Sequence, residues 1–559
     1  MTRSARTVLI GALALGALLR LVEVGSALLF GDELHSLRDM HGGYLQLLRT
    51  FSDTGAGMLL PLLQRVLIDA FGASHWTIRA PAWLAGLGLL LVSYPIARRH
   101  VSEGVAVGVT ALVAISPILV FYAHFARIYA LIALLCLLLL AWIEALLARA
   151  QQVSPAPVSS DPVWSVRDWG VLVGVTALLP YAHPTALGFV LPVFAAAIAT
   201  ALWSLSRPRL ALRFATALAI AGLLCLAAHA PASASLEAFV NNKTTTPYPG
   251  SFGVLDVATL LFGGRALAWA ALALGLAAAG GLVVQRGARA LPLLAACAGP
   301  GIVIALVAPY GDAYAYARYA LPSLVPCLLL LGRGVDALLA RFADAAAPRI
   351  STLSSAASAG LALALYLTGP LGPGALVRAQ HAQHGNTYLA LRPLPAFDAP
   401  WPDAPAFYRT LAERVGVAPG TRVIEAPALT TRTRHLYRAY QRQHGATTVL
   451  APFPREFPRI PSGPYVSLEA QDWIETSRAD YLILHLDVGR EVLRYWDFVY
   501  GTPEAARDAD RAYMERHRQF GGPLAPVPPR MLSGLVQQLG EPSYRDQDIV
   551  VWTLGPESD

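Results

Sequence analysis

Apolar runs long enough to cross a bilayer recur along the first two-thirds of this chain, and the arginines between them fall on alternate sides. The runs lie at 7–30, 77–97, 104–123, 126–148, 169–183, 184–205, 211–230, 267–284, 290–308, 320–339 and 352–368, about eleven in all. A membrane helix needs about 20 mostly apolar residues, so each reads as a span, the fifth being short enough to merge with the sixth. Composition agrees. Of 559 residues, 55% are hydrophobic and only 14% charged, whereas soluble domains carry about a quarter charged residues.

Loop charge then orients the spans. Arg3 and Arg6, Arg98 and Arg99, Arg149 and Arg167, Arg207 to Arg213, Arg286 and Arg289, and Arg341 and Arg349 share one side. By the positive-inside rule that side is cytoplasmic, as is the N-terminus. The opposite loops hold Asp32-Glu33, the stretch around His124, the long loop 231–256 and the segment 312–319. An odd span count sends the C-terminal region outward with them. The first run is too long for a signal-peptide core and reads as an uncleaved anchor. The net charge of +7 is spread over loop ends and forms no stripe, which argues against a nucleic-acid partner. All four cysteines, Cys136, Cys225, Cys297 and Cys327, fall in apolar runs, so the polar tail carries no disulfide framework or cysteine metal site.

Within the first outer loop, 58–71 is apolar with Gln64, Arg65 and Asp69 interleaved. It is too short to span comfortably and reads as an amphipathic helix at the interface. From about 369 the composition changes. The segments 422–426, 481–486 and 549–554 read as strands, and 405–415 and 431–444 as helices. The expected organisation is a polytopic helical membrane domain over 1–370 and an extracytoplasmic α/β domain over 371–559.

Four polar clusters face the outer side. Gly31-Asp32-Glu33-Leu34-His35 stands at the exit of the first span, where a carboxylate can take a proton from an acceptor hydroxyl. Acidic residues also commonly flank membrane helices as a solvated end. The second cluster runs from Phe121 through His124, Arg127 and Tyr129. An arginine opening an apolar helix must pair, snorkel or face a cavity, and in a cavity it can grip phosphate. Tyr181-Ala182-His183-Pro184 is an aromatic–histidine step that can line a cavity or be satisfied locally. The fourth joins Lys243, the only lysine in the chain, with Arg318-Tyr319. An ammonium among hydroxyl and amide donors suits a point charge on phosphate. No P-loop, dinucleotide fingerprint, zinc spacing or internal repeat is present in the sequence.

Together these elements resemble the GT-C membrane glycosyltransferases that use polyprenyl-phosphate sugars. The resemblance is nearest to the protein O-mannosyltransferase and lipid A aminoarabinose transferase superfamily, with its family 39-like bacterial members. It rests on Asp32-Glu33, Arg79-Ala80-Pro81, Ser116-Pro117 followed by Ala126-Arg127-Ile128-Tyr129-Ala130-Leu131, Tyr181-Ala182-His183, and Arg318-Tyr319-Ala320-Leu321-Pro322. It implies a catalytic base at Asp32 with Glu33 as acidic neighbour. Arg127, Tyr129, Lys243, Arg318 and Tyr319 would form a donor phosphate site, and His35, Arg79, His124, Tyr181 and His183 would line the cavity. One departure stands out: the family's His-Pro segment in the first outer loop is replaced by Met58-Leu59-Leu60-Pro61-Leu62.

The resemblance therefore implies an inverting glycosyltransferase of the bacterial inner membrane. The donor would be a polyprenyl-phosphate sugar, the partners membrane lipids and an acceptor glycan, lipid or protein, with no metal or other cofactor. Two rivals remain from the sequence. A flippase for lipid-linked glycans would explain the many spans, although transporters place their sites near the midplane and often show inverted repeats. A non-catalytic assembly protein would use the outer domain to bind a partner.

Overall fold

The computed structural model of the chain describes residues 1–21, 24, 33, 43–51, 57–72, 74–152, 164–245, 254–262, 265–307, 313–342, 401, 403–417, 420–427, 436–437, 440–441, 443–450, 474, 478–500 and 526–554. These form two compact units, a helical one up to 342 and an α/β one from 401 onward.

The helical unit runs α1 Arg3–Leu21, α2 Tyr44–Arg49, α3 Leu59–Phe71, α4 His75–His100, α5 Glu103–Ile115, α6 Pro117–His124, α7 Tyr129–Gln152 and α8 Val166–Ala182. It continues with α9 Leu187–Ala199, α10 Pro208–His229, α11 Ser233–Thr245, α12 Val254–Phe262, α13 Arg265–Arg286, α14 Leu291–Val307, α15 Ala313–Ala320 and α16 Leu324–Phe342. Among the described residues seven helical runs are long and apolar enough to cross a membrane, and the chain is a multi-pass membrane protein.

The difference from the expected eleven has physical causes. The 104–123 segment is broken into α5 and α6, bent by 50°, where Pro117 supplies no N–H to continue the ladder. Helix α8 has 17 residues, shorter than a comfortable span. The 36-residue run Leu267–Ile302 holds two of the expected spans, within α13 and α14. It contains Gly287 at φ 55°, between α13 and α14, a left-handed conformation that interrupts a regular helix. The expected eleventh span, 352–368, lies outside the described residues. The expected loop over 231–256 is instead partly helical, with α11 occupying its first half and α12 beginning at Val254.

Local sequence sets several helix starts. Ser74 caps α4 in a reciprocal box with Thr77, and Ser165 caps α8 in the same way with Asp168. Small residues let helices approach. A Cβ on Gly86 would stand 2.4 Å from that of Ala123, so α4 and α6 meet where no larger residue fits. Helix α3 forms as expected. Its Gln64, however, turns inward, fully buried, and donates from Nε2 to the Ile78 carbonyl at 2.8 Å.

The α/β unit is built on a five-stranded mixed sheet of order β2-β1-β3-β5-β4. Its strands are β1 Arg422–Ala426, β2 Thr447–Leu450, β3 Tyr481–His485, β4 Tyr544–Arg545 and β5 Ile549–Thr553. The strand β1 pairs in parallel with β2 and β3, and β5 runs antiparallel to β3 and β4. Side chains alternate across the sheet. Ile424, Leu482, Leu484, Val550 and Trp552 face an apolar core that packs against the helix Pro529–Leu539 through Met531, Leu535 and Val536. The other face carries Glu425 and His485, joined to Tyr408 of the helix Phe407–Val417.

Candidate active site

Three of the four sequence clusters contribute to one place in the helical unit. Tyr129, which opens α7, is its centre. The Arg127 guanidinium lies 5.9 Å from the Tyr129 ring centroid and the Arg318 guanidinium 5.6 Å from it. Tyr319 and His183 stand 6.0 and 5.7 Å from the same ring, and 5.6 Å from each other. Arg318 also donates from Nη2 to the Tyr319 hydroxyl at 3.3 Å. Cations over aromatic faces are attracted by the ring quadrupole, so Tyr129 and Tyr319 steady two guanidinium groups that would otherwise repel. Arg127, Tyr129 and His183 are buried, and Arg318 and Tyr319 half-buried.

Each side chain is placed by a break in helix geometry. Arg127 sits in the turn between α6 and α7. Arg318 and Tyr319 close α15, just before a short 3-10 turn at Leu321–Ser323. His183 ends α8 and caps the 3-10 turn Pro184–Ala186, its Nδ1 accepting the Thr185 N–H at 3.2 Å and lying 2.7 Å from Thr185 Oγ1. A backbone N–H can only donate, so Nδ1 is the acceptor and Nε2 carries the ring hydrogen.

Beside this cluster lies the pair Glu33–Arg79. Arg79 Nε and Nη2 donate to Glu33 Oε1 and Oε2 at 2.8 and 2.9 Å. Glu33 Oε1 also accepts the Ala126 N–H at 2.9 Å, one residue before Arg127. Arg79 Nη1 donates to the Val24 carbonyl at 3.0 Å. A single buried ion pair therefore ties the exit of the first helix, the start of α4 and the turn that carries Arg127.

The remaining expected residues are placed differently. His124, half-buried at the end of α6, lies near the charges of Arg20 and Arg79. Tyr181 turns to His229, 5.3 Å between ring centroids, in a separate aromatic group with Phe51. Asp32, His35 and the Lys243 side chain lie outside the described residues, Lys243 falling on α11.

Two residues close to this framework carry no sequence mark of their role. Arg20 is fully buried, donating from Nη1 to the Gly16 and Ala114 carbonyls and from Nη2 to that of Val113, each at 2.9 Å. It pins α1 to the end of α5. Gly57, at φ 73°, presses its backbone on the Ala182 carbonyl, where a Cβ would approach to 2.0 Å, next to His183. An arginine at a helix end reads as a snorkelling flank, and only the close approach explains the glycine.

The α/β unit holds a second buried polar cluster. His485 Nε2 lies 2.6 Å from Glu425 Oε2, and its Nδ1 lies 2.9 Å from Glu491 Oε2. Tyr408 donates to both Glu425 oxygens at 3.0 Å, and Tyr440 to Glu491 at 2.6 Å. Burial pulls the imidazolium down, but Glu491 and Glu425 together hold it up to about 10. His444 stacks on Tyr408, its Nδ1 accepting the Ala446 N–H at 3.0 Å and its Nε2 lying 3.8 Å from Glu425 Oε1, and burial pushes it down to about 3. The residues hold sheet and helices together.

No protein-family model matches the sequence, and no curated protein does. Among solved structures the chain is similar to ArnT from Cupriavidus metallidurans in the apo state, at 15% identity and TM-score 0.50, over 98% of this chain and 99% of that one. It is similar also to ArnT from the same organism bound to undecaprenyl phosphate, at 13% identity, TM-score 0.49 and 98% of each chain. A third is the Archaeoglobus fulgidus oligosaccharyltransferase in the apo form, at 14% identity and TM-score 0.44, over 90% of this chain and 72% of that one. At 15% identity the likeness to apo ArnT shows the fold, which is the GT-C architecture that the sequence resemblance implies.

Proposed function

We propose that the chain is an inverting glycosyltransferase that moves a sugar from a polyprenyl-phosphate donor to a hydroxyl- or amine-bearing acceptor, a glycolipid, polysaccharide or protein. The observation that carries this reading is the approach of the Arg127 and Arg318 guanidinium groups to the single Tyr129 ring. Glu33, the chain neighbour of Asp32, is tied to that turn through Ala126.

In the proposed reaction Asp32 accepts the acceptor's proton as its oxygen or nitrogen attacks the anomeric carbon. The bond from that carbon to the phosphate oxygen breaks on the opposite face, inverting the centre. Arg127 and Arg318, with Lys243, offset the charge that develops on the departing polyprenyl phosphate. Cationic donors held in place before the reaction are usually the largest contribution to such catalysis. His183 and Tyr319 shape the wall beside the phosphate. The lipid-linked sugar is a substrate, and the reading calls on no cofactor. The reaction would take place at the outer face of a bacterial inner membrane, with the N-terminus cytoplasmic and the 371–559 region outside.

The test is native mass spectrometry of the detergent-purified protein for a co-purifying polyprenyl phosphate or its sugar adduct, comparing wild type with Arg318→Ala and Lys243→Ala. The expected result is a bound prenyl phosphate that is depleted in both variants. A well-folded wild-type protein that carries and binds no such lipid overturns the reading.

A further inference from the structure

The helix α7 has a second polar end. Tyr129 opens it in the site above, and Arg149 lies about 30 Å further along at 1.5 Å of rise per residue. There the helices border a half-open cavity of about 660 Å³, lined in part by Arg99, Glu144, Arg149, Thr200, Arg286 and Arg289. That volume suits a small-molecule ligand.

The charge in and around it is unbalanced. Arg149 is paired with Asp168, Nη2 to Oδ1 at 2.5 Å. Glu144, the carboxylate in the lining, lies 3.0 Å from His100 Nε2. Arg99, Arg286 and Arg289 stand exposed at the rim, Arg289 Nε donating to Ser204 Oγ at 3.1 Å. Arg333 of α16, outside the lining, feels the charges of Arg286, Glu144 and Asp336. Its Nε and Nη2 are buried, with no hydrogen-bond partner among the described residues. Arg333 does not line the cavity, but a buried guanidinium short of acceptors is costly, and the negative charge of an anion beside Arg286 would offset part of that cost through space.

The wall is also shaped for occupancy. Thr200 opens a π-helical turn, Thr200–Ser204, a distortion often found at functional sites. Its Oγ1 donates to the Ala288 carbonyl at 2.7 Å, fastening that turn to the 3-10 segment Gly287–Ala290 that carries Arg289. Leu147 and Pro292 supply apolar wall beside the cations. Cations next to apolar surface at helix ends match a lipid whose phosphate sits at the headgroup level.

We propose that this cavity binds the phosphate group of an anionic phospholipid, at the helix ends opposite to the transfer site. Basic pockets between membrane helices on the arginine-bearing side recognise anionic headgroups in this way. The same phosphate chemistry is offered by a water-soluble phosphate ester, and the experiment separates the two.

The test uses full-length protein in detergent, titrated with phosphatidylglycerol and with phosphatidylcholine and read by native mass spectrometry. Wild type is compared with the Arg286→Gln/Arg289→Gln double variant, with Arg333→Gln and with Glu144→Gln, each checked for monodisperse elution and helical content. Wild type should prefer phosphatidylglycerol, and the double variant should bind it about tenfold more weakly. Arg333→Gln should also weaken it, whereas Glu144→Gln, which removes a carboxylate, should strengthen it. Glycerol phosphate that displaces the lipid at equal concentration would assign the site to a soluble ester, and failure to displace would assign it to the membrane. Equal phosphatidylglycerol binding by wild type and the folded variants overturns the proposal.

Discussion

Glu33 and Arg79 grip each other through two parallel hydrogen bonds, both side chains sealed from solvent. Oε1 is shared with the Ala126 N–H, and the third arginine donor reaches the Val24 carbonyl. With both carboxylate oxygens engaged, Glu33 is best cast as the residue that positions the chain segment bearing Asp32. That leaves Asp32 as the base in the proposed reaction.

Glu33→Gln should therefore act on stability. Removing one partner of a buried pair leaves the other charge uncompensated and costs about 3–5 kcal/mol. Arg79→Lys should be destabilising as well, because a single ammonium cannot reproduce the two-pronged fork or reach Val24. Thermal unfolding of the detergent-solubilised protein checks both, and unfolding temperatures equal to that of wild type would remove the pin from the account.

Asp32→Asn should behave in the opposite way. The protein should insert and unfold as wild type does, while transfer from a lipid-linked sugar falls by about 10²–10⁴-fold, the usual contribution of a positioned general base. A purified-enzyme transfer assay decides it. Wild-type turnover by Asp32→Asn would sink the proposed role.

Arg318→Ala should lower kcat/KM by about a hundredfold or more, the scale on which a charge-stabilising donor contributes. Arg318→Lys should restore only part of this. It keeps the charge but gives up the planar face that lies 5.1 Å from the Tyr319 ring and 5.6 Å from that of Tyr129. An Arg318→Lys variant as active as wild type would show that charge alone matters there.

Much of this site was legible in the sequence, for one reason. In a bilayer a polar or charged side chain at a helix end is costly enough to stand out, so Arg127, His183 and Arg318 could be singled out one by one. Their meeting around Tyr129 depends on helix packing, which spacing along the chain does not encode. Arg20 escaped because its partners are the backbone carbonyls of Gly16, Val113 and Ala114, and any residue supplies a carbonyl. The strands at 422–426, 481–485 and 549–553 were readable as short apolar runs. Thr447–Leu450 is only four residues long and follows directly on the segment read as a helix. The Glu425–His485–Glu491 cluster joins two strands and a helix from distant parts of the chain, and no local pattern marks it.

That cluster makes the last prediction, a stability maximum near neutral pH. His485 is held as the cation up to about 10 in the folded chain, whereas unfolded it titrates near 6.5. A raised folded value contributes stability that is complete below about 6.5 and is lost as the pH rises through about 10. His444 works in the other direction. Its folded value near 3 means that the fold requires the neutral ring, so its contribution is present above about 6.5 and is lost as the pH falls towards 3. The two limbs are separable by substitution. In His485→Gln the decline in unfolding temperature between pH 7 and 10 should flatten while the acid limb persists, and in His444→Phe the acid limb should flatten instead. If His485→Gln leaves the alkaline limb as steep as in wild type, the cation between Glu425 and Glu491 is not what that limb reports.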